Sequence, residues 1–424
     1  MPDITTSIVD IVNNVNLGGI FSGLKLGDCL YYCIKGLDGA APSLMMSFAR
    51  IIKRTALQYY SFEEQGSADT LFLFSESYGL RNDHLETFDR ITGLAASKLV
   101  MKPAGRKKVR LLNLTNLSSA FALNKKLKPV IEDKRLRWFA VQNLHTISEA
   151  FEEYVSYCKK RKIDCSKLAS YVDVHAVDSF FTQKFNAERK LTVTMQHGTY
   201  STTSNNGPWP FLGSHSDVFF ANSKFAFDEA RRAGYNTDRI RIVGLPSYIG
   251  EKRVEKPQSF SATSLGLFLD GGSFLSSDRI LLENVQSCCK RMGVKLLVKL
   301  HPASDKKDYV DIIDKDVVEK FYSSEISVFD FLDMIDVAVV HGSTTLLECL
   351  RAWVPTFVFE ESTGDIYYNA KLLKVHSGAE LEERIKKINS KSSIEEIAEA
   401  REYFCGSGNE KDNYLKELHK LGIV

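Results

Sequence analysis

The chain has 424 residues, of which 44% are hydrophobic and 25% charged, and its formal net charge is +2. This length is too great for one core and suits two globular domains, while the near-neutral charge argues against a nucleic-acid partner. No run of 18 apolar residues could span a membrane and the N-terminus lacks a signal-peptide pattern, so we expect a cytoplasmic protein.

The first 60 residues contain helical spacing of apolar positions at 43–60, and regular alternation of strands and helices begins after them. Thr146 and Glu149 have the spacing of a capping box and predict that a helix begins there. The predicted strands of the first half are 70–75, 108–115, 136–143, 168–175, 190–198, 216–223 and 239–246. The predicted helices are 84–100, 146–162, 176–189 and 224–235.

A polar, aperiodic segment at 247–263 predicts a linker, and alternation restarts beyond it. The predicted strands of the second half are 264–272, 294–302, 336–342 and 354–361. The predicted helices are 278–293, 308–322, 327–335, 343–353 and a helical tail from 379. Alternating strands and helices indicate parallel sheets covered on both faces. We therefore expect an α/β protein of two doubly wound, Rossmann-like domains facing a cleft, with residues 1–248 in the first and 264–424 in the second.

Ligands of doubly wound sheets bind at the carboxyl ends of the strands, and four predicted strand ends carry polar groups. These are QHGTY (196–200), LDGGS (269–273), KLHPAS (299–304) and HGSTTLLE (341–348). In the last of them, Gly342 permits a tight turn, and Ser343, Thr344 and Thr345 bring hydroxyls and amides to a helix N-terminus that suits an anion. A capping box at Thr345 and Glu348 explains the same residues without any ligand.

The other strand ends of the second half follow the same logic. Pro302 has no backbone N–H for strand pairing, so the strand is predicted to end there. The imidazole of His301 is then held at the sheet edge, where it can donate to a phosphate. Gly271 and Gly272 after Asp270 would allow a ligand to approach the backbone closely, although a simple turn also explains them. Three such ends in one half together favour an anion site.

The segments VTMQHGTY, VKLHP and HGSTTLLECLRAWVPTFVF, in this order and spacing, resemble the GT-B glycosyltransferases of bacterial surface-polysaccharide assembly. That group includes capsule and lipopolysaccharide transferases and polymerases that use cytidine-diphosphate alditols. The resemblance covers about residues 167–359. Trp353 and Val354 stand where many GT-B enzymes have a glycine two residues before the proline.

The resemblance implies that His301, Ser343, Thr344 and Thr345 bind the donor's phosphates. Glu348 would hold the ribose hydroxyls of the nucleotide. Asp270 and the glycines Gly271, Gly272 and Gly342 would line the donor side of the cleft.

His197 is the candidate general base of the first domain, because an imidazole has an unperturbed pKa matched to proton abstraction at neutral pH. Gln196, Gly198 and Thr199 would contact the acceptor. The loop after the first predicted strand offers Glu76, Asp83 and His84 as rival bases, although His84 is structural if it belongs to the following helix. A role for His197 in phosphate or loop binding alone remains an alternative.

The implied reaction is inverting transfer of a sugar, or of a sugar or alditol phosphate, from a nucleotide donor to a glycan or lipid-linked acceptor. Asp314–Asp316 resembles a metal motif but is predicted to lie on a charged helix face, and the eight cysteines show no zinc spacing, so neither metal nor cofactor is expected. The basic run 102–110 leaves peripheral contact with the inner face of the membrane open. Two other functions also remain open: a nucleotide-sugar 2-epimerase and a non-catalytic GT-B-like binding subunit.

Overall fold

The computed structural model describes residues 9–10, 12–35, 37, 42–75, 82–109, 114–196, 198–203, 207–250, 255–271, 274–301, 304–323, 325–341, 345–359, 373–406 and 408–424, apart from the side chains of 82–83, 106–107 and 114–116. The described residues form two sheets with helices on both faces. All strand pairs in the two sheets are parallel except one, which lies at the edge of the first sheet. The predicted fold class, α/β with two doubly wound Rossmann-like sheets, is confirmed.

The first sheet has seven strands in the spatial order β1-β3-β2-β4-β5-β6-β7. They are β1 (Leu57–Gln65), β2 (Thr70–Leu73), β3 (Lys98–Val109), β4 (Lys167–Ser170), β5 (Leu191–Met195), β6 (Val218–Ala221) and β7 (Ile240–Ile242). β1 pairs antiparallel with β3, and the other pairs are parallel.

The second sheet has six parallel strands in the order β10-β9-β8-β11-β12-β13. They are β8 (Ser264–Phe268), β9 (Lys295–Lys299), β10 (Val318–Tyr322), β11 (Val337–Val340), β12 (Thr356–Phe359) and β13 (Lys374–Val375).

The helices that cover the sheets are α1 (Leu26–Lys35), α2 (Leu44–Ala56), α3 (Asn82–Thr92), α4 (Leu114–Leu127), α5 (Lys134–Arg161), α6 (Ala176–Ala187), α7 (Trp209–Leu212), α8 (Lys224–Arg232), α9 (Leu275–Met292), α10 (Val328–Leu332), α11 (Thr345–Arg351), α12 (Gly378–Lys386), α13 (Lys391–Cys405) and α14 (Glu410–Lys420). Short 3-10 turns occupy Gly19–Phe21, Thr237–Arg239, Pro246–Tyr248 and Lys306–Ile312.

Side chains alternate between the two faces of the first sheet, as the strand period requires. Leu71 and Leu73 pack with α2, α4, α5 and α6, whereas Phe72 packs with α3 and the C-terminal helix α14. The last helix of the chain therefore returns to the first sheet. Its Tyr414 ring meets Phe220 of β6 edge-on, with 5.6 Å between the ring centroids.

Three predicted elements are wrong. The predicted strand at 136–143 lies inside α5, which begins at Lys134 behind the cap residue Asp133 and not at Thr146. The predicted strand at 108–115 is displaced, because β3 ends at Val109. The predicted helix at 308–322 is a 3-10 turn followed by the edge strand β10, so Asp314–Asp316 lies in the connection and not on a helix face.

Seven of the eight cysteines are buried and the eighth, Cys33, is half-buried; all are free thiols. Among the helices of the described residues, none is long and apolar enough to cross a membrane.

Candidate functional site

The strand order identifies a crevice in each sheet. In the second sheet the order reverses between β8 and β11, and in the first sheet it reverses between β2 and β4. Ligands of doubly wound sheets bind outside the carboxyl ends of the strands at such switch points. The residues that follow these four strands are therefore the candidates for the functional site.

A buried carboxylate organises the loop that follows β8. Asp278, in the first turn of α9, accepts the backbone N–H of Asp270 at 3.1 Å and that of Gly271 at 2.7 Å. The Tyr309 hydroxyl donates to the same carboxylate at 3.0 Å. These two backbone amides are thus used within the protein.

Gly271 touches the loop that follows β9. Its φ is +67°, and a Cβ at this position would lie 1.7 Å from Ser304 Oγ, 3.0 Å from Ser304 Cβ and 3.6 Å from His301 Cβ. A glycine is required here by both conformation and space. The structure thereby brings together Gly271 and His301, two of the residues predicted to bind the donor, and the His301 side chain is exposed.

His341 directly follows β11. It therefore lies across the switch point of the second sheet from the loop that follows β8. Its imidazole is buried, and Nδ1 lies 3.1 Å from the carbonyl oxygen of Phe359 at the end of β12. Because a carbonyl only accepts, Nδ1 carries the proton and Nε2 of a neutral ring is an acceptor. The Phe274 ring stands edge-on to this imidazole, with centroids 6.5 Å apart.

Two of the predicted donor-binding residues lie in α11, where Thr345 is the first residue and Glu348 is half-buried in the first turn. Two contacts hold the helix in place. The Glu348 carbonyl oxygen accepts the Tyr248 hydroxyl at 2.8 Å, and Arg351 forms a buried ion pair with Glu410 at 2.7 Å. The connection between the domains and the C-terminal helix therefore fix the position of α11.

A small cavity lies at the switch point of the first sheet. It is lined by Phe74 and Ser75 after β2, by Tyr171, Val172 and His175 after β4, and by His84 of α3 and Asp178 of α6. Two imidazoles and a carboxyl thus line one cavity at the carboxyl ends of neighbouring strands. The sequence offered His84 as a rival base and assigned no catalytic role to His175 or Asp178.

Asp178 is the most perturbed group of this cavity. Burial raises the pKa of its carboxyl well above the usual range, the Ser75 hydroxyl opposes the shift, and the charge of Asp173 adds to it. Its Oδ1 has no hydrogen-bond partner among the described residues. A carboxyl in this state favours the neutral acid, and a perturbed carboxyl in a cavity is a candidate for proton transfer.

The turn after β5 is braced by Gln196. This buried side chain donates through Nε2 to the Gly198 carbonyl oxygen at 2.6 Å and accepts the Asn222 backbone N–H at 3.0 Å. Both polar ends of Gln196 therefore position the turn that contains residue 197. Gly198 and Thr199 are half-buried beside it.

The loop that continues this turn is anchored by Glu229, a buried residue of α8. Its Oε2 accepts the Thr202 backbone N–H at 2.7 Å, the Thr202 hydroxyl at 2.9 Å and the Ser201 hydroxyl at 3.2 Å. No pattern in the sequence indicates this role, because Glu229 stands in a charged helical stretch.

The N-terminal residues, for which the sequence predicted no role, pack beside the same loops. The Tyr31 ring of α1 stacks on Trp209 with centroids 4.0 Å apart, and Tyr32 lies 5.2 Å from the His175 ring. Asp28 pairs with His215 at 3.0 Å. Helix α1 therefore helps to shape the crevice of the first domain.

Several predicted site residues lie outside the described residues, namely Glu76, His197, Gly272, Gly342, Ser343 and Thr344. The side chain of Asp83, at the start of α3, also lies outside them. Within the described part of the chain, no group of three His, Cys, Asp or Glu side chains could hold a metal ion.

No protein-family model matches the sequence, and no curated protein matches it significantly. Solved structures with a similar fold include UDP-GlcNAc 2-epimerase from Methanocaldococcus jannaschii, with 14% identity over 66% of this chain and 82% of that chain and a TM-score of 0.47. MnaA from S. aureus, solved with UDP, matches 82% of this chain and 88% of its own at 10% identity and a TM-score of 0.44. The pneumococcal O-GlcNAc transferase GtfA, solved with UDP and GlcNAc, matches 63% and 58% at 11% identity and a TM-score of 0.43.

Proposed function

We propose that this protein is a nucleotide-sugar-dependent glycosyltransferase of bacterial surface-polysaccharide biosynthesis. It would move a sugar, or a sugar or alditol phosphate, to a glycan or lipid-linked acceptor at the inner face of the cytoplasmic membrane. The observation that carries the proposal is that polar side chains follow the strands of both sheets: His301 lies beside Gly271 in the second, and Asp178 shares a cavity with two imidazoles at the switch point of the first.

The second domain would bind the donor. His301 beside Gly271 would donate to the leaving phosphate, together with the hydroxyls of Ser343, Thr344 and Thr345. Glu348 would accept the ribose hydroxyls. Donors held rigidly by strand ends stabilise the charge that develops on the phosphate, so this part of the reaction would need neither a metal nor a cofactor.

The first domain would bind the acceptor. His197, on the turn that Gln196 braces, would remove the proton of the attacking hydroxyl, in an inverting reaction that needs one base. Glu76 and Asp83 are the rival bases. Asp178, His84 and His175 line one cavity of this domain. They would supply further acid and base groups on the acceptor side of the site.

A second candidate function is favoured by one observation, the cavity that Asp178 shares with two imidazoles. A nucleotide-sugar 2-epimerase needs several acid and base groups around the sugar and no acceptor. The cavity brings three acid or base groups together, which is more than the sequence predicted at any one strand end.

The purified protein incubated with a panel of UDP-, CDP- and CMP-activated sugars separates the candidates. A transferase releases free nucleotide only when an acceptor is present, whereas an epimerase interconverts two nucleotide sugars without one. If nucleotides bind but neither product forms with any acceptor, the chain is a binding subunit and the proposed transfer is wrong.

A further inference from the structure

Helices α2 and α4 present an apolar surface to solvent. Met45 is 82% exposed, Met46 49% and Ile52 48%, all on α2, and Phe121 on α4 is 52% exposed. Large apolar side chains at this exposure are ordinary when scattered, but here four of them lie on two adjacent helices.

The two helices form one continuous face. The Phe48 ring of α2 lies 6.0 Å from the Phe121 ring of α4, and both rings pack against Trp138 of α5. On the opposite side of α2, Ser47 and Ile51 are buried against the rest of the domain. The outward residues of α2 and α4 therefore share a single surface, which we call the α2–α4 face.

The charges on the α2–α4 face have one sign. Arg50 and Lys53 of α2 and Lys125 of α4 are exposed, and neither helix contains an aspartate or a glutamate. Among the described residues, these three cations form no ion pair within 4.0 Å. They therefore add to a local positive field instead of being neutralised by neighbours.

We propose that the α2–α4 face binds the surface of an anionic lipid bilayer. The Met, Ile and Phe side chains would enter the boundary between headgroups and acyl chains, and the three cations would lie among lipid phosphates. The three cations of the α2–α4 face complement a uniformly anionic surface. A protein partner of mixed charge would instead leave some of these cations without an anionic contact. The inference rests on this surface and not on the proposed transfer reaction.

Co-sedimentation of the full chain with lipid vesicles, without any substrate, tests this inference. We expect binding to phosphatidylglycerol vesicles and little binding to phosphatidylcholine vesicles, with weaker binding at high salt. Removal of three cations in Arg50→Gln/Lys53→Gln/Lys125→Gln should lower the partition coefficient on the order of 100-fold. Met45→Ser/Ile52→Ser/Phe121→Ser, which changes side chains that are 48–82% exposed, should also abolish binding.

A matched control removes three exposed cations elsewhere, in Lys315→Gln/Lys411→Gln/Lys416→Gln, and should bind as the original chain does. If this control lost vesicle binding to the same extent, net charge alone would explain the effect, and the assignment to the α2–α4 face would be wrong. Equal binding to both lipids would also overturn it. If vesicles are not bound and the Met45, Ile52 and Phe121 variant instead abolishes a concentration-dependent dimer, the face joins two copies of the chain and the proposal is wrong. Because no substrate is used, these outcomes are independent of whether transfer occurs.

Discussion

The Asp278 carboxylate accepts the Gly271 backbone N–H at 2.7 Å, and this bond holds the loop after β8 against the loop that carries His301. The geometry of the proposed phosphate site thus depends on a residue in the first turn of the next helix. A carboxylate buried this deeply and bonded to two backbone amides and a phenol is a structural support of the crevice.

Gly271→Ala should damage this loop more than a comparable change elsewhere. The left-handed conformation alone costs about 1–2 kcal/mol for alanine, and the overlap with Ser304 should raise the total loss of unfolding free energy above about 2 kcal/mol. Gly293→Ala is the matched control, since its φ is +65° and nothing lies within 4 Å of the added Cβ. Urea unfolding measures both.

The Ser304→Gly background isolates the overlap. In it, the added cost of Gly271→Ala should fall to that of Gly293→Ala, because both Ser304 side-chain atoms that meet the new Cβ are gone. An unchanged cost in this background would mean that the contact with Ser304 does not explain the glycine.

His301→Ala and Ser343→Ala should each weaken nucleotide binding while the fold persists. Loss of one charge-assisted contact to a phosphate should raise the Kd on the order of 10- to 100-fold. Calorimetric titration with UDP and CDP measures the change, and His419→Ala, an exposed histidine of α14, is the control. Unchanged affinity in both variants would remove the phosphate assignment.

Chelation should leave most of the transfer activity intact, because protein donors and not a metal are proposed to neutralise the leaving phosphate. Turnover with and without EDTA measures this. If EDTA abolished turnover and a divalent ion restored it, the role given to His301 and the hydroxyls would be wrong.

The sequence predicted four of the six described strands of the second sheet, because β8, β9, β11 and β12 are apolar runs bounded by polar loops, Gly or Pro. It missed the outer strands β10 and β13. It failed at 136–143, where Trp138, Phe139, Ala140 and Val141 are consecutive and buried. A helix enclosed on most sides loses the amphipathic period that separates it from a buried strand.

The positions of His301 and Gly271 at strand ends followed from the sequence, because each closely follows an apolar run, and their roles in binding stay predictions. Asp278, Asp178 and Glu229 were missed for a common reason. Each lies within a helix, and its importance comes from burial and from partners that only the tertiary structure brings near. The role of helix α1 beside the crevice was missed for a similar reason, because Tyr31 contacts Trp209, which is far away in the sequence.

His197→Ala should bind nucleotide almost normally and lose transfer, because a base acts on the acceptor in the transition state. General-base catalysis contributes roughly 10²–10⁴-fold, so kcat should fall by about that factor while the Kd for UDP or CDP stays the same. A loss below about tenfold would assign the proton to another group, and Glu76 and Asp83 would be the next positions to change.

Asp178→Asn tests whether the cavity of the first sheet takes part in proton transfer. Burial raises the pKa of this carboxyl, so folding favours the protonated acid. Its contribution to stability is therefore fully present below the carboxyl's ordinary pKa near 3.9 and is lost as pH rises through the raised folded-state pKa. Asparagine is neutral at every pH, so the stability of the original chain relative to the variant should fall as pH rises above the carboxyl's ordinary pKa, measured by urea unfolding.

Activity gives the second readout of the same variant. If Asp178 transfers a proton, Asp178→Asn should lose turnover at every pH without loss of stability at neutral pH, since an amide of the same shape cannot exchange the proton. Asp217→Asn, which affects a carboxylate that accepts the Thr192 backbone N–H at 3.0 Å at the other end of the sheet, is the control. Full activity in Asp178→Asn together with the expected pH trend would make Asp178 a buried structural acid and would remove the observation that favours an epimerase.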